Sequence, residues 1–477
     1  MSRAARNYSR STRFAADTYL EVGCSVRLDG ATATTKRGPA TKRRRLVALA
    51  LSALALVIAA ESPPTASATG ACDRYAAPSG SDSAPGSVAQ PFGSVQHLVD
   101  ALLPGQVGCL RAGTYADDEP VKFRERGTTL TAYPGESATV RGRIRVDSRA
   151  DGTVIEGLAL DGRNPENLHG PLIYADDVVL RGNDITNHHT AICVSVTRED
   201  GAPTPRGVEI VGNRIHDCGV LPATNHHHGI YIAHAVGTVV RGNWIYSNAD
   251  RGVQLYPNAD ESIVTRNVIH GNGQGVIFGG GKSSSSDHNL VARNVITHSN
   301  LRHNLESHWQ GPTGVGNVAR ENCVYGGARP ANGGIETPHP GFVARGNRTQ
   351  DPGFEPAARD FRLPAGSMCA GALRVTRTGT QGRDRLAGTP GPDRIVGLGS
   401  DDRLAGRQGN DRIAGGAGND RIRPGGGRDV VRAGTGEDRV HSRGGGRDVV
   451  RCGPGTDRAR VDRRDRVRGC ERVRRPD

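Results

Sequence analysis

Aromatic residues make up only 4% of this 477-residue chain, and methionine occurs twice. Helical and α/β cores draw heavily on such side chains. Their scarcity, beside 66 glycines, argues for stacked repeats in which each rung adds a thin apolar strip and glycine turns the corners. The apolar run at 46–60 falls short of the roughly 20 residues that a membrane span needs. It follows Lys42-Arg43-Arg44-Arg45 and precedes Ala66-Ser67-Ala68, the order of a signal peptide. Residues 42–68 are therefore expected to be a cleaved leader, with export of a chain starting near Thr69. Residues 1–41 lack periodicity and read as a disordered extension or a mis-called start. No Cys/His spacing resembles a zinc site, and no nucleic-acid-binding motif accompanies the positive charge.

The net charge of +13 is unevenly spread. Residues 1–68 carry 11 basic and 4 acidic residues, residues 69–376 carry 27 and 30, and residues 377–477 carry 24 and 15. The basicity thus sits in the leader and the tail, and no nucleic-acid partner is expected. Once Cys24 is removed with the leader, Cys72, Cys109, Cys193, Cys218, Cys323, Cys369, Cys452 and Cys470 remain. An even number in an exported chain points to disulfides. Connectivity stays open, with pairing of neighbours in order the simplest choice, notably Cys452 with Cys470.

One phrase recurs through residues 69–376, its Asn falling at Asn183, Asn213, Asn243, Asn267, Asn294 and Asn347, with Asn322 in a weaker copy. Each copy alternates apolar and polar residues, as a half-buried strand does, and five are followed by a second short strand. Short strands repeating about every 25 residues suit a solenoid. Ile185, Ile215, Ile245, Ile269 and Ile296 are expected to form one inward column. Ile192, Ile230, Val253, Val276 and Leu305 are expected to form another. The asparagines are expected to stack as a structural ladder at a turn.

The stretch YAAPSGSDSAPGSVAQPFGSVQHLVDALLPGQVGCLRAGTY at 75–115 resembles the opening of pectate-lyase-like extracellular β-helix proteins. DPGFEPAARDFRLPAGSMCAGA at 351–372 resembles their closing rung. The resemblance implies an all-β, right-handed parallel β-helix over 69–376, its first coil capped by a helix at 94–103. It does not choose among the lyases, epimerases, hydrolases and inactive proteins that share this fold.

From Gly379 the chain counts in nines. Asp384, Asp393, Asp402, Asp411, Asp420, Asp429 and Asp438 recur without a break, and Asp448 and Asp457 follow after a one-residue slip. Leu386, Ile395, Leu404, Ile413, Ile422, Val431 and Val440 keep step with them. Glycine turns expose carbonyls and each Asp adds a carboxylate, an oxygen-only set suited to a hard cation such as calcium. The fullest copy, GGAGNDRIR at 415–423, resembles the calcium-binding repeats of bacterial secreted toxins, proteases and alginate epimerases. That implies a calcium-ordered parallel β-roll over 377–477. The competing reading is an Arg–Asp repeat that balances its own charge without metal, and the pattern drifts after Asp429.

Aligning the second strands places Thr190, His228, Arg251, Gln274 and His303 at one outward position. Cys193, Tyr231, Gln254, Ile277 and Glu306 fall at the next, and Ser195, Ala233, Tyr256, Gly279 and His308 at a third. Coils lie about 4.8 Å apart, so His228, Tyr231, Arg251, Gln254 and Tyr256 are expected to form one exposed patch. Trp309 would offer a platform for a sugar ring. Proton abstraction beside a uronate carboxylate needs a cation, a base and an acid. Arg251 suits the first role, and His228 and Tyr231 suit the other two. Asn225-His226-His227-His228 stands where alginate epimerases keep an active-site segment, although their signature and the pectate-lyase Trp-x-Asp-His motif are both missing. The chain therefore reads as a secreted, monomeric, calcium-dependent protein that binds an acidic polysaccharide and cleaves or epimerises it. The rival is a non-catalytic surface or matrix protein, for which a loop-covered patch would speak.

Overall fold

The computed structural model describes residues 72–476 except 117–118, 165, 167, 355–358, 365–366, 374–375, 390–391, 408 and 445. The expected leader and the segment before it lie outside these residues. Those described fall within one compact unit, Pro63–Asp477.

Alternating apolar residues coil the chain around three parallel sheets of eleven, ten and eight strands. A typical coil runs Val239–Arg241, Trp244–Tyr246 and Arg251–Leu255, one strand in each sheet. In the first sheet Leu130, Ile155, Leu180, Ile210, Val240, Val264 and Val291 stack in register and are fully buried. In the second, the expected column from Ile185 through Ile296 forms and continues to Val324. Each such side chain contributes roughly 1.5–3 kcal/mol by leaving water.

In the third sheet Ile230, Val253, Val276 and Leu305 align as expected, but Val194 rather than Ile192 continues the column. The expected outward rows shift with it, so that Ser195, not Cys193, lies beside Tyr231. The cause is local. Cys193 is tied to Cys218 at the corner, and the chain needs two more residues there before the strand Val194–Val196 begins.

The aligned asparagines form an unbroken ladder from Asn183 to Asn347. Each Nδ2 donates to the next Oδ1 at 2.9–3.2 Å. A second, shorter ladder links Asn248 to Asn272 at 2.8 Å. Helix Val95–Asp100, capped by Ser94 accepting from the His97 amide, buries Val95, Leu98 and Val99 at the N-terminal end. It shields an edge that would otherwise invite another strand. Beyond the last coil, Phe361, Leu363 and helix Ala370–Leu373 pack on Trp244, Tyr246, Val268 and Val295. The outer face of the second sheet is thereby covered at these strands.

The nonapeptides alternate between two six-stranded parallel sheets, so strands eighteen residues apart pair. Ile395, Leu404, Ile413, Ile422, Val431, Val440 and Val450 make the thin core between them. The roll runs past the drift after Asp429, as far as Arg472–Arg474. The slip is absorbed where the Asp429 amide donates to Asp448 across nineteen residues instead of eighteen. The disulfides are Cys72–Cys109, Cys193–Cys218, Cys323–Cys369 and Cys452–Cys470, neighbours in order throughout, and they suit an oxidising compartment. Among the described residues no helix is long and apolar enough to cross a membrane.

Candidate functional site

On the third sheet, Ser195, Tyr231, Gln254, Ile277 and Glu306 form one lateral row, and Arg251 pairs with Gln274. The structure brings His228, Tyr231, Arg251 and Gln254 together. The His228 and Tyr231 ring centroids lie 5.9 Å apart, and Arg251 Nη1 donates to Gln254 Oε1 at 3.3 Å. The patch is not open, however. His228 is 3% and Arg251 4% exposed, because the chain before His228 folds over them. The Asn225 and His227 amides donate to Asp250, and the Arg251 guanidinium donates to the carbonyl and Oδ1 of Asn225. The hydrophilic residues Thr224 to His227 thus keep their own exposure while covering what lies beneath them.

This burial sets the proton states. Desolvation, reinforced by the Arg251 charge, holds His228 well below the usual histidine range, so its imidazole is neutral. Its Nδ1 is buried without a hydrogen-bond partner. Burial, aided by Tyr256, pushes the Tyr231 phenol up to about 12. Glu306 is fully buried; its Oε2 meets His303 Nδ1 at 3.0 Å and Arg302 Nε at 3.1 Å, while Oε1 is unpartnered. Tyr256 lies against Gly279. Trp309 is partly buried against the core, and its indole N–H donates to the Pro340 carbonyl at 3.0 Å. The row also gains His169, whose Nδ1 lies 2.9 Å from Ser195 Oγ. His169 sits outside the repeated phrases, and nothing in the pattern marked it.

Burial lowers several histidines of the β-helix, most of all His228, with His169 and His270 brought to about 4. A histidine whose folded pKa is depressed contributes stability above its unfolded pKa and loses it as pH falls toward the folded value. The melting temperature of the calcium-saturated protein is therefore expected to drop steadily from pH 6.5 to pH 4. His169 and His270 should account for on the order of 2 kcal/mol each, after discounting for partial exposure. A flat calorimetric profile across that window would contradict it.

In the tail, each repeat aspartate from Asp402 onward is buried. Its Oδ1 accepts the backbone amide of the aspartate two repeats earlier, as from Asp402 to Asp420 and from Asp411 to Asp429. The Oδ2 atoms of Asp402, Asp411, Asp420, Asp429, Asp438 and Asp457 are buried without a partner. Backbone oxygens converge on the same places. A Cβ on Gly397 would strike both Asp402 Oδ2 and the Gly415 carbonyl, and one on Gly406 would strike Asp411 Oδ2 and the Pro424 carbonyl. Only glycine leaves room there, and what remains is an oxygen-lined cradle that fits calcium. Among the described residues no three His, Cys, Asp or Glu side chains converge, so carbonyls must complete the shell. Asp384 and Asp393 differ from the rest, since the Thr380 and Thr389 amides and hydroxyls occupy their carboxylates. Burial first, then neighbouring aspartates, pushes Asp411 up to about 10. Asp420 and Asp429 reach about 7, and Asp438 about 6, again chiefly through burial. The arginines that follow these aspartates point outward, as Arg403, Arg421 and Arg439 do, and leave that charge uncompensated. The self-balanced Arg–Asp reading is thereby set aside.

Comparison with known proteins agrees with this geometry. The description "Right handed beta helix region" matches residues 166–323. "RTX calcium-binding nonapeptide repeat" matches in four overlapping copies at 378–413, 406–440, 414–450 and 423–458. Pectate lyase PEL9 of Emericella nidulans is 36% identical over 86 residues, 17% of this chain and 21% of that protein, so the chain spans about a fifth of this relative's length. Among solved structures, pectate lyase Pel9A aligns over 58% of this chain and 78% of its own at 14% identity, with a TM-score of 0.44. The A-module of mannuronan C-5 epimerase AlgE4 from Azotobacter vinelandii aligns over 80% and 95% at 12% identity, with a TM-score of 0.38. This chain thus carries a right-handed β-helix region followed by a C-terminal array of RTX calcium-binding nonapeptide repeats.

Proposed function

We propose that the β-helix binds an acidic polysaccharide along its third sheet and abstracts the proton beside a uronate carboxylate, leading to cleavage or epimerisation. The observation that supports this best is the pairing of a neutral, unpartnered His228 imidazole with a protonated Tyr231 phenol, both next to the fixed Arg251 charge. A uronate carboxylate against Arg251 would offset the charge that depresses His228 and make it a better base. His228 takes the proton. In elimination the bond to the neighbouring glycosidic oxygen breaks, and Tyr231 protonates that oxygen. In epimerisation no bond to oxygen breaks, and Tyr231 delivers its phenolic proton to the same carbon from the face opposite His228.

This chemistry requires the Asn225–His227 cover to lift, and the cover is also the observation that favours the second reading, a non-catalytic binding or matrix protein. Turnover of polygalacturonate and alginate, followed by ultraviolet absorbance of unsaturated product and by proton NMR for epimers, separates the two. Tyr231→Phe is expected to lower kcat by about 10²-fold or more while leaving the calcium-dependent fold unchanged. Absence of either product on both polymers, with binding retained, would leave the non-catalytic reading.

A further inference from the structure

The outward face of the second β-roll sheet carries a feature that calcium binding does not use. Arg385, Arg403, Arg421, Arg439, Arg458 and Arg472 pair laterally from strand to strand in one unbroken column. Strand spacing places the guanidinium stems about 4.8 Å apart. From Arg403 onward these residues are exposed, while the residue after each, from Leu404 to Ala459, points into the core. Two positions along, Ala387 and Ala405 are followed by Arg423, then His441, Arg460 and Arg474, which add basic side chains on the later strands only. Asp401 and Glu437 border the other side of the first column, so the positive strip has a defined edge. Among the described residues, Arg403, Arg421, Arg439 and Arg458 form no salt bridge, whereas Arg383 outside the column pairs with Asp401.

Like charges at this spacing repel, and the fold gains nothing from aligning them. We infer that this strip is a docking face for one extended chain of carboxylated sugars, formed only when calcium folds the roll. The occupant follows from three observations. Every one of the 24 basic residues in 377–477 is arginine, whose planar fork grips a carboxylate through two parallel hydrogen bonds where lysine offers a point charge. The same segment contains no Phe, Tyr or Trp, so it lacks the platforms on which nucleic-acid bases stack. The main column is one residue wide across its paired strands, suited to one chain with a charge on every ring and poorly suited to the two backbones of a duplex. Calcium enters twice. It neutralises the buried aspartates, which raises the positive potential of the roll, and it imposes the register that lines the arginines up. The inference shares its polymer class with the proposed function but needs no chemistry on the β-helix.

The test uses the full-length protein and a fluorescently labelled hexagalacturonate, with binding read by anisotropy and no turnover required. Binding is expected in calcium and should weaken at least about tenfold in chelator. The triple variant R421Q/R439Q/R458Q should also weaken it about tenfold, whereas R394Q/R412Q/R432Q, which removes equal charge from the exposed positions of the opposite sheet, should change it less than about threefold. A third variant, R421K/R439K/R458K, keeps the charge and guards against misfolding; it should bind several-fold more weakly than the parent. Equal loss in both glutamine triples, undiminished binding in chelator, or stronger competition by an oligonucleotide of matched charge would each overturn the inference. Silence in the turnover assay with this binding intact would instead count against the proposed function alone.

Discussion

Stripping calcium at neutral pH is expected to unfold the nonapeptide tail and leave the β-helix standing. The tail has one inward apolar residue per nine and no aromatic residue, so its core is too thin to offset several buried carboxylates. Six of these, Asp402, Asp411, Asp420, Asp429, Asp438 and Asp457, each present an unpartnered buried oxygen, and an uncompensated buried charge costs several kcal/mol. Calcium at a thousandfold excess over its Kd should stabilise the roll by about 4 kcal/mol per independent site. In chelator, calorimetry should lose one transition, and amides between residues 393 and 461 should exchange freely. Protons can partly stand in for the metal. Carboxyls whose folded pKa is raised contribute stability below their unfolded pKa and lose it as pH rises through the folded value. The chelated roll should therefore regain order as pH falls from about 8 toward 5, through the window set by Asp420, Asp429 and Asp438. That is the reverse of the β-helix, whose neutral histidines weaken it in acid. Hydrogen exchange unaffected by chelator would remove the calcium-ordered view of the tail.

The parts of the molecule with a strict period were legible in the sequence. The Asn183 to Asn347 spacing yields the ladder, the isoleucine column, and the lateral row that brings Tyr231 beside Gln254. Strict ninefold counting gives both β-roll sheets. What eluded the pattern lies where coils differ in length. Two additional residues ahead of Val194 shifted one strand, a change that periodicity cannot detect when a disulfide fixes the corner. The histidine segment before Ile230 was legible as a chemical cluster, but not as a cover, because its direction depends on Asp250 accepting two of its amides. The count in nines also passed over the threonine that stands in a glycine place at Thr380 and Thr389. Its effect, a hydroxyl occupying the carboxylate meant for the metal, is a matter of geometry.

Replacing Asn243 by alanine should be among the most damaging single changes in the β-helix. Asn243 is fully buried midway along the ladder. Its Nδ2 donates to Asn267 Oδ1 at 2.9 Å and to the Ile210 carbonyl at 2.8 Å. Its Oδ1 accepts from the Asn213 amide at 2.8 Å and from Asn213 Nδ2 at 3.0 Å. Alanine leaves four groups without these partners in a dry interior, and each unmade bond of this kind costs about 1–3 kcal/mol. Some of that loss is recovered by relaxation, so Asn243→Ala should cost about 4 kcal/mol, read as a lower urea midpoint with an unchanged slope. The same change at Asn347, the last and partly exposed member of the ladder, should cost only about 1 kcal/mol, because water can replace what is lost. The contrast separates a ladder that works through burial from one that is merely periodic. Equal costs at the two positions would mean that the asparagines mark the turns without holding them.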